Sequence, residues 1–193
     1  MPFTAPPRTA AWRHLHARDG FEVVYFRPTP EGLHVEGCTT AYEDGQTWIV
    51  DYAVELDTAW LTRSAQISGR SSAGSRQVTL KADGAGHWWV DGSPAPHLEG
   101  CLDVDLESSA MTNTFPIHNL ALRAGVRTPA PAAYVRAEDL TVSRLEQTYT
   151  RLPADPPHHR YDYTSPAFDF ACRLTYDDHG LVLDYPGIAT RTA

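Results

Sequence analysis

Apolar and polar residues alternate along much of this chain. Trp48, Val50, Tyr52, Val54 and Leu56 fall on one face of an extended run, with Thr47, Asp51 and Glu55 on the other. That period of two marks a half-buried β-strand. Phe168, Phe170, Cys172, Leu174 and Tyr176 repeat the pattern against Asp169, Arg173, Thr175 and Asp177. Shorter strands are predicted over 21–27, 32–39, 60–68, 77–82, 86–90, 132–136, 161–164 and 181–185. Asp-Gly pairs at 19–20, 44–45, 83–84 and 91–92 punctuate these runs, joined by Glu31-Gly32 and His179-Gly180. Asp-Gly between alternating runs signals a hairpin, because a type I′ turn needs positive φ and glycine supplies it. Residues 140–152 fit a helix through Leu145, Tyr149 and Leu152, but their threonines and Val142 favour a strand, which is the assignment adopted. The PADPP run at 153–157 reads as a loop.

The period changes in one place. Residues 100–122 open as a strand, with Leu102, Val104 and Leu106 on one face and Asp103, Asp105 and Glu107 on the other. They pass through Thr112-Asn113-Thr114 and Pro116 into a helical spacing of Ile117, Leu120, Ala121 and Ala124. Asn113 or Thr114 is placed to cap that helix, Pro116 suits its first turn, and Gly125 suits the position just past its end. A helix of about ten residues does not hold alone in water, so its apolar stripe must lie on a sheet. Many short strands with one helix, and no βαβ rhythm, give a mainly β fold: a long antiparallel sheet rolled around a single short helix.

Length and charge narrow the functions. A chain of 193 residues is expected to form one domain over 1–193. Its net charge of −8 argues against nucleic acid and against an anionic membrane surface, both of which recruit cations. No run of 18 apolar residues predicts an integral membrane segment. The N-terminus lacks an apolar signal core, and three cysteines without CxxC spacing, Cys38, Cys101 and Cys172, read as free thiols. Both features point to a cytoplasmic setting.

Catalytic fingerprints are missing. No GxSxG, HExxH, P-loop or GxGxxG motif occurs. Asp103 and Asp105 share a strand face with Cα atoms about 7 Å apart. That spacing suits either an inverting glycosidase pair or two hydrogen-bonded carboxyls contacting a ligand. His14-x-His16 would point two imidazoles one way on a strand, yet no third metal ligand follows: His158 and His159 fall in a loop and Cys38 is isolated. Ser108, Ser109 and His118 have nothing in the sequence to fix a nucleophile–base geometry. No metal and no cofactor is therefore expected. Five tryptophans and nine tyrosines are more informative. Each joins an apolar face to a polar edge, as an amphipathic ligand requires, although at least three of the tryptophans are expected in the core.

The whole pattern resembles the "putative glycolipid-binding" family, whose members have a spiral β-roll fold. The resemblance rests on Trp12 with Gly20-x-Glu22, Glu36-Gly37, Tyr52 with Asp57 and Trp60-Leu61-Thr62-Arg63, and Trp88. It continues through Gly100-Cys101-x-Asp103-Val104-Asp105-Leu106 and Thr112-Asn113-Thr114-x-Pro116-Ile117 with Leu120. Gln147 with Tyr149, Asp177 with Gly180-Leu181-Val182, and Tyr185-Pro186-Gly187 complete it. His118 and Asn119 stand where the family tends to carry basic residues, and Ser109-Ala110 where it tends to carry threonine-proline. The resemblance implies a sheet wrapped around one helix, a shape like the half-barrels of bacterial lipoprotein carriers, a homodimer, and binding of lipid or glycolipid.

The expected function is non-enzymatic binding of an amphipathic ligand. Trp48, Trp60, Ile117 and Leu120 supply its apolar contacts; Arg63, Asp103, Asp105, Asn113 and Tyr149 supply its polar ones. Two alternatives remain open from the residues: a hydrolase or isomerase using Asp103 and Asp105, and a dimeric scaffold with no ligand.

Overall fold

A computed structural model describes residues 3–16, 18–153 and 158–193. The first half is a ribbon of hairpins: β1 (Thr9–His14), β2 (Asp19–Thr29), β3 (Gly32–Glu43), β4 (Gln46–Asp57), β5 (Thr62–Ser71), β6 (Gly74–Ala82), β7 (Trp88–Val90) and β8 (Ser93–Pro94). The middle holds β9 (Asp103–Leu106), a 3₁₀ turn at Met111–Asn113 and the helix α1 (Thr114–Asn119). The strands β10 (Arg127–Pro129), β11 (Ala132–Val135), β12 (Val142–Leu145) and β13 (Thr148–Arg151) follow. The chain ends with β14 (His159–Ser165), β15 (Phe170–Tyr176), β16 (Val182–Tyr185) and β17 (Ala189–Arg191).

Fourteen strands form one sheet in the order β10-β13-β14-β15-β16-β17-β1-β2-β3-β4-β5-β6-β7-β8. All of its pairings are antiparallel, and its two edges, β10 and β8, do not pair, so the sheet is rolled but not closed into a barrel. The β4 alternation appears as read: Trp48, Val50, Tyr52, Val54 and Leu56 are buried, and Asp51 and Glu55 are exposed. Asp44-Gly45 and Asp91-Gly92 make the two-residue turns that the pattern requires, with φ of 49° and 79°, and 48° and 79°.

Several local expectations give way. Asp19-Gly20 is not a turn; it is the start of β2, paired with Tyr42 and Ala41. Trp60 precedes β5 in a left-handed turn with φ 65°, and Phe168 sits in a 3₁₀ turn before β15. His14 ends β1 and His16 lies beyond it with φ 52°, so the two imidazoles do not share a strand face. His159 begins β14 and is not in a loop. The 140–152 segment divides into β12 and β13, which belong to different sheets. Apart from Pro153, the expected PADPP loop lies outside the described residues.

The helix is six residues long, not ten. Leu120 turns to φ −89°, ψ 135°, so Ala121 and Ala124 are not on a helix and Gly125 (φ 75°) does not cap it. Asn113 holds the capping position but makes no side-chain cap bond; its carboxamide oxygen accepts from Tyr149 instead. A second sheet, β12-β11-β9, is separate from the first, and β9 pairs with β11 in parallel, Asp103 opposite Ala132. All four β9 residues are buried, because both of its faces are covered.

Candidate functional site

The inner segment is bolted to the roll by polar side chains. Thr62 Oγ1 accepts the Val104 amide at 3.1 Å, and Thr39 Oγ1 donates to the Ser108 carbonyl at 2.7 Å. Glu22, fully buried on β2, accepts from Tyr52 Oη at 2.6 Å, from the Ala110 amide at 2.9 Å and from Ser109 Oγ. Tyr149 Oη donates to Asn113 Oδ1 at 2.9 Å, and Tyr176 Oη donates to the Asn113 carbonyl at 3.1 Å. Buried polar groups are affordable only when bonded in this way.

Asp103 and Asp105 have different neighbours. Asn119 Nδ2 donates to Asp103 Oδ1 at 2.6 Å, and the carboxyl pKa rises to about 8 because burial outweighs that bond, with Asp105 nearby adding to the rise. Thr112 Oγ1 donates to Asp105 Oδ1 at 2.9 Å, and burial pushes this carboxyl up to about 6. Burial likewise raises the Glu22 carboxyl above its ordinary range.

A cleft of about 560 Å³ opens where α1 ends. Trp60 stacks on His118, with ring centroids 3.6 Å apart and planes 14° apart. Phe3 packs on the same imidazole at 4.6 Å and on His159 at 5.0 Å, so four rings form one wall. Ile117 and Leu120 give the cleft an apolar floor, and Arg123 and Arg151 reach its rim. The Trp60 backbone is strained for a non-glycine residue. Asp57 holds it there: its Oδ1 accepts the amides of Ala59 at 2.8 Å and Leu61 at 3.0 Å, and its carbonyl accepts the Trp60 amide at 2.9 Å. His118 is fixed in turn by a bond between Nε2 and the His179 carbonyl at 3.0 Å. Burial lowers its pKa to about 4, so the ring in the stack is neutral at pH 7. Gly180 lies so close that a Cβ there would come within 2.4 Å of Nε2, and its φ is 70°.

The nine residues named from the sequence therefore divide. Trp60, Ile117 and Leu120 meet at this cleft. Asp105 and Asn113 line a separate cavity of about 200 Å³, with Tyr149 bonded behind Asn113. Asp103 is held against Asn119. Trp48, under the Arg18 guanidinium at 5.2 Å, lies at the other end of β4 from Trp60. Arg63 turns outward to Asp57 at 3.8 Å and to the Asp83 carbonyl. The sequence reading missed Glu22, His118, Phe3 and Arg151 as parts of the arrangement. Glu22 had a usable signal, since it occupies an inward position of β2 alongside Val24 and Phe26. Phe3 and Arg151 had none, because only the folded chain brings them together. Among the described residues no three His, Cys, Asp or Glu side chains are grouped to hold a metal ion. His14 is buried, with both ring nitrogens unpartnered and its pKa lowered to about 4, largely by burial.

The chain is similar to known proteins over nearly its whole length. The family described as "Putative glycolipid-binding" matches residues 9–191. A crystal structure of a DUF1089 family protein from Pseudomonas aeruginosa is 35% identical with a TM-score of 0.78, covering 89% of this chain and 92% of that one. A β-barrel-like DUF1849 protein from Brucella abortus is 10% identical with a TM-score of 0.48, covering 95% of this chain and 92% of that one. No curated protein matches.

Proposed function

From the premise that the chain belongs to this glycolipid-binding family, we propose that it binds an amphipathic ligand of the glycolipid class non-covalently, without catalysis. The carrying observation is the cleft at the end of α1, where a wall of four rings faces Ile117 and Leu120 beneath two arginines. Its volume of about 560 Å³ lies within the range of small-molecule sites. Trp60, Ile117 and Leu120 contact the ligand in this reading. Asp103, Asp105, Asn113 and Tyr149 contribute by holding the inner segment in place, while Trp48 and Arg63 lie apart from the cleft.

The energetics require a headgroup as well as a tail. Ten buried methylenes yield roughly 8 kcal/mol gross, about what a micromolar complex needs net. Ordering losses must be offset by polar contacts, and Arg123 and Arg151 stand where such contacts would form. A hydrolase or isomerase built on Asp103 and Asp105 would need both carboxyls free on one cleft. Asn119 engages one and Thr112 the other, so binding is the better reading. The homodimer and the cytoplasmic setting belong to the same proposal; sedimentation at micromolar concentration tests the first and fractionation of cells tests the second.

Native mass spectrometry of protein purified from cells, followed by lipid extraction, tests the binding. A bound amphiphile that disappears in Trp60→Ala is the expected result. Repeated recovery of ligand-free protein, with no uptake of a defined short-chain glycolipid, would reject the reading.

A further inference from the structure

The second cavity has a different chemistry from the cleft. Asp105 and Glu107 reach it, and Tyr134, Tyr163, Phe168, Phe170 and Tyr185 provide aromatic walls. Tyr163, Phe170 and Tyr185 contact one another with centroids 5.9 to 6.3 Å apart, and Tyr134 and Phe168 face each other at 5.5 Å. Tyr163 and Tyr185 are buried while Phe168 is 54% exposed, so the cavity deepens from an open edge toward the tyrosines. The Asp105 side chain is buried, yet the only side chain bonded to it among the described residues is the neutral Thr112 hydroxyl. Ser165, also buried, lines the cavity beside Tyr163.

Among the described residues the one cation that lines the cavity, Arg18, is already engaged. Arg18 lies 3.2 Å from Glu43, donates to the Glu107 carbonyl at 3.0 Å and covers the Trp48 ring. A buried carboxylate without a cation is costly, and a positive ligand removes that cost. The faces of aromatic rings attract cations, most strongly where water is excluded. At about 200 Å³ the space suits a headgroup and not an acyl chain.

We propose that this cavity is a binding site for an alkylammonium cation, with Asp105 as counter-ion and the five rings as its cage. A neutral sugar would fit the hydroxyls but would leave the carboxylate uncompensated. The site is separate from the Trp60 cleft, and its occupancy does not depend on the ligand proposed there.

Calorimetric titration with choline and with its uncharged isostere 3,3-dimethylbutan-1-ol tests the charge requirement. Choline is expected to bind saturably, at least tenfold more tightly than the isostere. Asp105→Asn should weaken choline at least tenfold and leave the isostere unchanged; Phe170→Leu, in a half-buried position, should weaken choline several-fold. Trp60→Ala should leave choline binding intact, which separates this site from the glycolipid reading. A short-chain phosphocholine lipid distinguishes the sources: tighter binding than choline identifies a lipid headgroup, and equal binding identifies a free solute. Equal affinity for choline and the isostere, no binding of either, or saturable glucose binding without choline binding would each overturn the proposal. If Asp105→Asn fails to fold, the isostere comparison on the unaltered protein and the Phe170→Leu titration still decide.

Discussion

The outer sheet and the inner segment are held together by different means. From β1 to β8 each strand pairs with its sequence neighbour, so tight turns fix the register locally. The inner segment, from β9 through α1, rests on side-chain bonds to residues far away in sequence: Glu22 is 88 positions from Ala110, and Asn113 is 36 from Tyr149. An alternating pattern thus specifies the shell, whereas a sparse polar network specifies what the shell encloses. Substitutions in the network should be severe, and substitutions on the outer face of the shell should be mild.

The sharpest test of that contrast is Glu22→Ala. It leaves the Tyr52 and Ser109 hydroxyls and the Ala110 amide without their acceptor. Unmet buried groups cost about 1–3 kcal/mol each, so urea unfolding should show a loss of about 3 kcal/mol or more. A loss below 1 kcal/mol would end the distinction between the two regions.

Asp103→Asn comes next, and its effect depends on pH. The folded carboxyl titrates near pH 8, well above its ordinary 3.8, so the folded state retains a proton that the unfolded chain gives up. This group therefore lowers native stability as pH rises from about 4 to about 8. Asparagine mimics the protonated form and can still accept from Asn119. The variant should match the parent near pH 4 and exceed it by more than about 1.4 kcal/mol at pH 8, the worth of a single tenfold change in proton affinity between folded and unfolded chain, because the shift from 3.8 to about 8 spans several such steps. Parallel unfolding curves at the two pH values decide it; an unchanged difference would refute a buried, protonated Asp103.

A smaller effect is expected from Tyr149→Phe, which strands Asn113 Oδ1 at a cost of about 1–2 kcal/mol. Thermal unfolding would register it as a few degrees. Tyr25→Thr, on the exposed face of β2, should stay within about 0.5 kcal/mol in the same assay. A large loss there would mean that the outer face is covered in solution.

The same contrast explains what could be read from the sequence. β4 was legible to the residue, because Trp48, Val50, Tyr52, Val54 and Leu56 share a water-excluding face. The end of α1 was not: Leu120, Ala121 and Ala124 keep a helical spacing, but Leu120 leaves the helix and helps line the cleft. Phe168 continued an apolar alternation, although Asp169 breaks the strand with a left-handed φ of 46°. The parallel pairing of Asp103 with Ala132 carries no local signal, since the partners are joined by a long excursion of the chain. Of the candidate site, Trp60, Ile117 and Leu120 could be named in advance. Their partners could not, because Phe3, Arg151 and His159 arrive from distant parts of the chain.

One seam of the sheet bears on how the molecule is made. Trp12 of β1 pairs with Arg191 of β17, almost the full span of the chain apart. During synthesis β1 must wait for β17 before its second neighbour exists, and until then it shows an unsatisfied backbone edge to the cell. Such a long-range pairing raises the entropic barrier to closure, and it leaves the nascent chain open to aggregation until β17 has been made.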